Sequence, residues 1–384
     1  MAKLILVSIF FYFGFSFAQN NAVSSNTSSS DKFDTIDGYL FGTIVRQGLI
    51  EPFTNFSDGQ TFEPSAGYIV GDQVFLINDR PLPAAFPSPV IKFNKHNLSN
   101  ELIPAKSITP VIFPLMRDTR KIEAATQSFD KNIVFASSSF TYFEQTEPEK
   151  DRYNNILYWR TNKPNEAKLF NTSLRNGIRS SVKLRNQIQK VLRDSRYPEG
   201  PTYFKIEGLA YMPGDKLAFG IRSMGSDYGN ANYQFIIITA DLHSIGTKKE
   251  LTMRLSNFEL LYKQDAGHEL KYRAFVKQDI GVSSIEYDQQ RHGLFILTTY
   301  EDKKNGIGAY LWFYPTGKSP QLVFDKNHKP LVFKHKAEGL VIMDKNTLLV
   351  IHDDDREQLT VDTGRSLVIR KTNQGLFSIV KLNY

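Results

Sequence analysis

Lys205-Ile206-Glu207-Gly208-Leu209-Ala210-Tyr211 runs into the turn Pro213-Gly214-Asp215 and on to Lys216-Leu217-Ala218-Phe219-Gly220-Ile221-Arg222. Near the other end of the chain the same order returns. Lys336-Ala337-Glu338-Gly339-Leu340-Val341-Ile342 meets the turn Asp344-Lys345-Asn346, then Leu348-Leu349-Val350-Ile351-His352-Asp353. Each copy reads as an apolar strand, a tight turn of Gly, Asp or Asn, and a second apolar strand with a polar tip.

Three weaker copies follow the same order. Ile122-Glu123-Ala124-Ala125 leads through Asp130-Lys131-Asn132 to Ile133–Ser138. Ser284-Ile285-Glu286-Tyr287 leads through Arg291-His292-Gly293 to Leu294–Thr299. Ser65-Ala66-Gly67-Tyr68-Ile69-Val70 leads through Gly71-Asp72 to Val74–Asp79. Further strand-like runs stand at Ile156–Trp159, Gln234–Thr239, Ala309–Tyr314, Gln321–Phe324 and Leu367–Ile369. Hairpin units that recur with extra strands predict an all-β propeller of five or six blades, each of about four antiparallel strands. A β-sandwich offers similar short strands but has no need to repeat a polar residue at an equivalent place. Tyr39–Arg46 is expected to pair with Leu376–Leu382, closing the ring and removing a free edge.

One segment breaks the strand pattern, an insertion at about 175–197. A helix is predicted from about Ile178 to Arg193, with Val182, Leu184, Ile188, Val191 and Leu192 on its apolar stripe. Pro198, Gly200 and Pro201 then end it.

The whole chain has 384 residues, 41% hydrophobic and 13% aromatic, with a formal net charge of +7 and no cysteine. That composition supports a sizeable core. It excludes disulfides, thiolate metal sites and a thiol nucleophile. Lys and Arg form no tract, so nucleic acid is not the expected partner. Residues 1–18, with Lys3, the uncharged run Leu4–Phe17 and Ser16-Phe17-Ala18, read as a signal peptide cleaved after Ala18. A retained membrane anchor is the weaker alternative, because the run is short of the roughly 20 residues a span requires. Residues 19–38 read as a disordered leader and 39–384 as a single propeller domain. A bacterial periplasmic or secreted monomer with no membrane association after cleavage is the expectation.

The ordered set Ser65-Ala66-Gly67 with Asn78-Asp79, Ile122-Glu123-Ala124, Ile206–Leu209 with Gly220–Ser223, and Ala337–Leu340 with His352-Asp353 resembles a bacterial domain-of-unknown-function family of exported β-propellers. That family is similar to the phytase-like esterase and SdiA-regulated propellers. The resemblance covers about Tyr39 to Tyr384 and implies export and a propeller, with no settled activity. Ala124-Ala125 stands where Gly-Leu is expected, and Val282-Ser283-Ser284-Ile285-Glu286 departs from an Ile-Arg-Asp-Leu-like segment.

Because the first strand of each propeller unit begins near the channel, Glu123, Glu207, Glu286 and Glu338 are expected to converge on one axis. Converging carboxylates repel and need compensation. Ca²⁺ on Glu207, Glu338 and Asp353 is one solution, with Asp79, Asp354 and Asp355 as further oxygen donors. Pairing with Arg222 and Arg80 is another, and hydrogen bonding that merely fixes blade packing is a third. Arg179, Lys183 and Arg185 of the insertion are candidates for binding an anion, or form a solvated helix face.

No nucleophile elbow, zincin motif, Walker loop or dinucleotide fingerprint occurs, and the seven histidines lack ligand spacing. Two functions stay open. One is a sensor or scaffold that binds a small, anionic or phosphorylated ligand, or a protein, at the channel mouth. The other is a metal-dependent, phytase-like phosphoesterase acting at the same axial site.

Overall fold

The computed structural model describes residues 39–54, 61–144, 146–245, 251–264, 275–276, 279–302, 306–353, 360–364 and 366–383. The expected signal peptide and leader, and Asp354 and Asp355, lie outside these residues.

All five predicted hairpins form. They are Pro64–Val70 with Gln73–Asn78, Ile122–Gln127 with Ile133–Ser138, and Tyr203–Met212 with Lys216–Gly225. Gly281–Asp288 with Gly293–Asp302 and Ala337–Asp344 with Thr347–His352 complete the set. The three-residue turn Pro213-Gly214-Asp215, closed by Met212 opposite Lys216, shows how they reverse tightly, since Gly214 and Asp215 both take positive φ (76° and 52°).

Two more antiparallel strands widen each hairpin into a blade. Blade 1 gains Val90–Asn94 and Thr109–Pro110, and blade 2 gains Ile156–Arg160 and Lys168–Leu169. Blade 3 gains Ala231–Ile245 and Thr252–Lys263, and blade 4 gains Gly306–Pro315 and Gln321–Leu322. Blade 5 gains Gly375–Asn383 and then Phe41–Ile50 from the opposite end of the chain, with Phe41 opposite Asn383 and Ile50 opposite Gly375. Both ends of the domain thus share one sheet, and a free edge becomes a ladder.

Alternation along the strands sends apolar residues into a core between each pair of blades. Leu76, Ile91, Val341 and Ile351 join blades 5 and 1. Tyr68, Ala125, Val134 and Trp159 join blades 1 and 2. Phe135, Tyr158, Leu209 and Phe219 join blades 2 and 3. Ala218, Ile237, Ile285 and Ile296 join blades 3 and 4. Phe295, Leu311, Leu340 and Val350 join blades 4 and 5. The inner strands also touch in that cyclic order. The propeller therefore has five blades.

Two segments depart from the sequence reading. Ile178–Ser180 is not helical but pairs with Ser173–Arg175 as a hairpin, and the helix occupies Lys183–Val191. Its buried stripe is Leu184 and Ile188, followed by Leu192. Leu367–Ile369 is a strand but belongs to a separate hairpin with Thr360–Asp362. Among the described residues no helix is long and apolar enough to cross a membrane.

Candidate binding site at the channel mouth

Near its start, every inner strand has a residue that slips out of the ladder with its second strand. These residues are Ser65, Glu123, Glu207, Ser283 and Glu338. A bulge of this kind re-aims a side chain while the flanking pairs hold register. The fourth blade therefore corrects the sequence alignment: Ser283, and not Glu286, is the counterpart of the three glutamates. Glycine after the bulge has a steric cause in blade 3. A Cβ on Gly208 would lie 3.0 Å from Ile285 Cγ1 and 3.1 Å from Gly220 Cα. In blade 2, Ala124 fits in the same place and is packed into the core.

The two serines and three glutamates are satisfied differently. Ser65 Oγ donates to Ile122 O (2.7 Å), and Ser283 Oγ donates to Ala337 O (2.7 Å), each reaching the next blade. The glutamates meet cations. Two residues before each of them stands a lysine, giving Lys121-Ile122-Glu123, Lys205-Ile206-Glu207 and Lys336-Ala337-Glu338. Lys121 Nζ lies 2.9 Å from Asp79 Oδ2 of blade 1 and 3.5 Å from Glu123 Oε1. Lys205 Nζ lies 3.0 Å from Glu123 Oε1 of blade 2 and also pairs with Glu207. Lys336 Nζ lies 2.8 Å from Glu338 Oε1 and 3.4 Å from Asp353 Oδ2. Arg222 pairs with Glu207 and reaches past blade 4 to Glu338 Oε1 at 2.7 Å. With Arg80 Nε 2.7 Å from Glu63 Oε2, a chain of alternating charges runs around this end of the channel.

Burial sets the energetics. Glu123, Glu207, Glu338 and Arg222 are at most 4% exposed. Burial alone raises a carboxyl, but Lys205 and Lys121 outweigh it at Glu123 and hold that group below its usual range. Lys336 and Arg222, with Lys205, likewise hold Glu338 well below its usual range. Asp79 goes the other way. Burial and the nearby Glu123 push it up to about 7 against Lys121. Asp353 is raised well above its usual value by burial, against Lys336 and with Glu338, Asp79 and Glu63 adding to the rise.

The structure brings together Asp79, Arg80, Glu123, Glu207, Arg222, Glu338 and Asp353 from the sequence candidates. It does not assemble the expected metal trio: Arg222 stands between Glu207 and Glu338, and the oxygens of Glu207, Glu338 and Asp353 do not all converge within ligand distance of one another. The compact carboxylate group among the described residues is Glu63, Asp79 and Asp353, with one oxygen from each within 4.8 Å of the others.

Glu286 lies along the channel away from the ring. Its Oε1 accepts from Thr126 Oγ1 at 3.0 Å, near a cluster of Phe129, Tyr211 and Tyr287. The side chain keeps intermediate exposure, yet burial of its carboxyl pushes it up to about 8 against Lys131 and Thr126.

The basic insertion divides. Arg185 is buried, donates to Phe140 O, to Thr202 O (2.6 Å) and to Asn154 Oδ1 (3.2 Å), and stacks 4.5 Å from the Phe204 ring. It is a packing residue, not an exposed anion ligand. Lys183 is exposed at the helix start, while Arg179 lines a cavity of about 660 Å³ with Lys168 and Arg254. His352 Nε2 and Ser378 Oγ lie 2.8 Å apart, and both residues are fully buried.

Sequence reasoning missed a cavity of about 530 Å³ between blades 1 and 2. Arg80, Arg117 and Arg120 supply its positive charges, Asp79 and Asp118 its negative ones, and Leu82, Phe86 and Met116 its apolar walls. Its signal in the sequence was the pair of long connections that follow Asn78 and precede Lys121.

A scan against protein-family models matches none, and no curated protein matches the sequence. Solved structures with a similar course include a member of the DUF4221 family from Bacteroides vulgatus, at 9% identity and a TM-score of 0.37, covering 90% of this chain and 99% of that one. A Trypanosoma rangeli sialidase has 8% identity and a TM-score of 0.38, covering 79% of this chain and 42% of that one. A Streptomyces coelicolor aldose sugar dehydrogenase bound to PQQ has 8% identity and a TM-score of 0.32, covering 90% and 98%.

Proposed function

We propose that this chain is an exported binding propeller that holds a small anionic ligand at the channel mouth, as a sensor or scaffold without turnover. The observation that carries this reading is the cavity of about 530 Å³ beside the charged ring. Arg117 and Arg120 are exposed around it, and Arg80 joins it to the ring through Glu63. Guanidinium groups suit carboxylate or phosphate oxygens, which they grip in pairs. Leu82, Phe86 and Met116 offer an apolar wall, so the ligand class is an anion with a hydrophobic portion. The ring beneath contributes fixed, mutually paired charge.

The test is a thermal-shift and calorimetry panel of organic carboxylates and phosphates, run on the mature protein alongside phosphatase and esterase substrates. Binding without turnover, weakened at least tenfold in Arg117→Gln/Arg120→Gln and reduced by added salt, is the expected outcome. Turnover of a phosphoester would replace this reading with the metal-dependent hydrolase. Ligand affinity unchanged in the double variant would remove the cavity from it.

A further inference from the structure

The ring follows a rule at two neighbouring junctions. Lys121 sits between carboxylates of blades 1 and 2, and Lys205 between carboxylates of blades 2 and 3. In both cases the bridging residue stands two positions before the bulge. At the junction of blades 5 and 1 that position is Glu63, two residues before Ser65.

The reversal of sign places like charges against each other. Glu63 and Asp79 are cross-strand neighbours, with Asp79 N donating to Glu63 O at 3.1 Å. Like charges in directly opposed positions destabilise a sheet. Their backbone is fixed by Asn78, whose Oδ1 accepts from Glu63 N (2.6 Å) and whose Nδ2 donates to Arg80 O (2.9 Å). Asp353 approaches from blade 5, with its own N held by Lys336 O at 2.9 Å. The three side chains are 1%, 5% and 3% exposed.

Glu63 already holds Thr61 Oγ1 on Oε1 and Arg80 Nε on Oε2 (2.7 Å), but the lysines take only one oxygen of each aspartate. Lys121 is on Asp79 Oδ2 and Lys336 on Asp353 Oδ2. Asp79 Oδ1 and Asp353 Oδ1 are buried and have no hydrogen-bond partner among the described residues. Leaving such an oxygen unmatched costs about 1–3 kcal/mol, and more when it is charged.

We propose that Glu63, Asp79 and Asp353 hold one Ca²⁺ ion, which does at this junction what a lysine does at the other two. The donors are oxygens only, which selects a hard cation over zinc or copper. Calcium is favoured over magnesium because magnesium demands a tight octahedron and gives up its waters reluctantly, whereas these carboxylates are buried. The cavity lined by Asp79 gives the ion an entry path. This inference does not depend on the anionic-ligand reading, and it requires no turnover.

The experiment is calorimetric titration of the metal-stripped full mature chain with CaCl₂ alone, paired with thermal melts in EDTA, CaCl₂ and MgCl₂. One Ca²⁺ per chain, a higher melting temperature with Ca²⁺ and a smaller rise with Mg²⁺ are expected. Asp353→Asn and Glu63→Gln relieve repulsion and should fold without metal, while each lowers Ca²⁺ affinity at least tenfold. If one of them fails to fold, the other supplies the reading. Absence of both heat and a melting shift at millimolar Ca²⁺ would overturn the proposal. So would an unchanged affinity in either folded variant.

Discussion

The junction between blades 2 and 3 and the junction between blades 5 and 1 use equivalent backbone positions for opposite charges. In the first, Lys205 lies between Glu123 and Glu207, and buried carboxylates become part of the blade-to-blade attachment. In the second, Glu63 lies beside Asp79 and Asp353, and three buried carboxylates face one another. The residue two places before the bulge, Lys205 against Glu63, together with the bulge residue itself, Glu207 against Ser65, thus separates a structural ion bridge from a group that demands a cation or protons. Both junctions are backed by apolar cores, the one between blades 2 and 3 extended by Leu184, Ile188 and Leu192 of the insertion.

The largest effect is expected where the bridge is complete. Lys205→Met leaves Glu123 and Glu207 buried with one cation fewer each. Removing one partner of a buried pair costs roughly 3–5 kcal/mol, and the lower end applies because Lys121 and Arg222 remain. Urea denaturation should therefore show a loss of about 3 kcal/mol. A loss below about 0.5 kcal/mol, as at an exposed pair, would break the comparison.

Glu286 sharpens it by showing a deep carboxyl in the channel outside the lysine-bridged ring. Its value in the folded chain is about 8 against an ordinary 4.5. Between those values the folded chain keeps a proton that the unfolded chain has released. The stability associated with it is complete below about pH 4.5 and falls as pH rises through 8. Allowing for its partial exposure, the decline is on the order of 1–3 kcal/mol. Glu286→Gln should flatten this part of the pH profile measured by denaturant titration. A profile of the same slope in the variant would contradict the assignment.

Much of the fold was legible in the sequence because each hairpin carries its own turn residues and alternation. Ring closure was legible because an apolar first strand and an apolar last strand both needed partners. The helix start was not, since Ile178–Ser180 fits an apolar stripe and a short strand equally well, and pairing with Ser173–Arg175 decided the matter.

The site was half legible. Glu123, Glu207 and Glu338 could be aligned by the residues around them, and Arg222 follows from the same unit. Glu286 was misplaced because blade 4 carries Ser283 at the bulge and the next glutamate lies three residues on. Only the slip in pairing between Val282 and Ser284 identifies the equivalent position. The lysine two places before each glutamate was in plain view, but its reach to a neighbouring blade is a property of packing. Glu63 carried no signal, because blade 1 replaces both the lysine and the glutamate of the pattern. Arg185 could not be told from the other basic residues of the insertion until Phe140, Asn154, Thr202 and Phe204 surrounded it.

The most direct measurement restores the lysine at the odd junction. Glu63→Lys places an ammonium between Asp79 and Asp353, as Lys205 is placed between Glu123 and Glu207, and Arg80, 51% exposed, has room to turn outward. Denaturation in EDTA should find this variant about 1–3 kcal/mol more stable than the unaltered chain, the range for satisfying buried charged acceptors. Equal or lower stability of Glu63→Lys under those conditions would contradict the account of the ring.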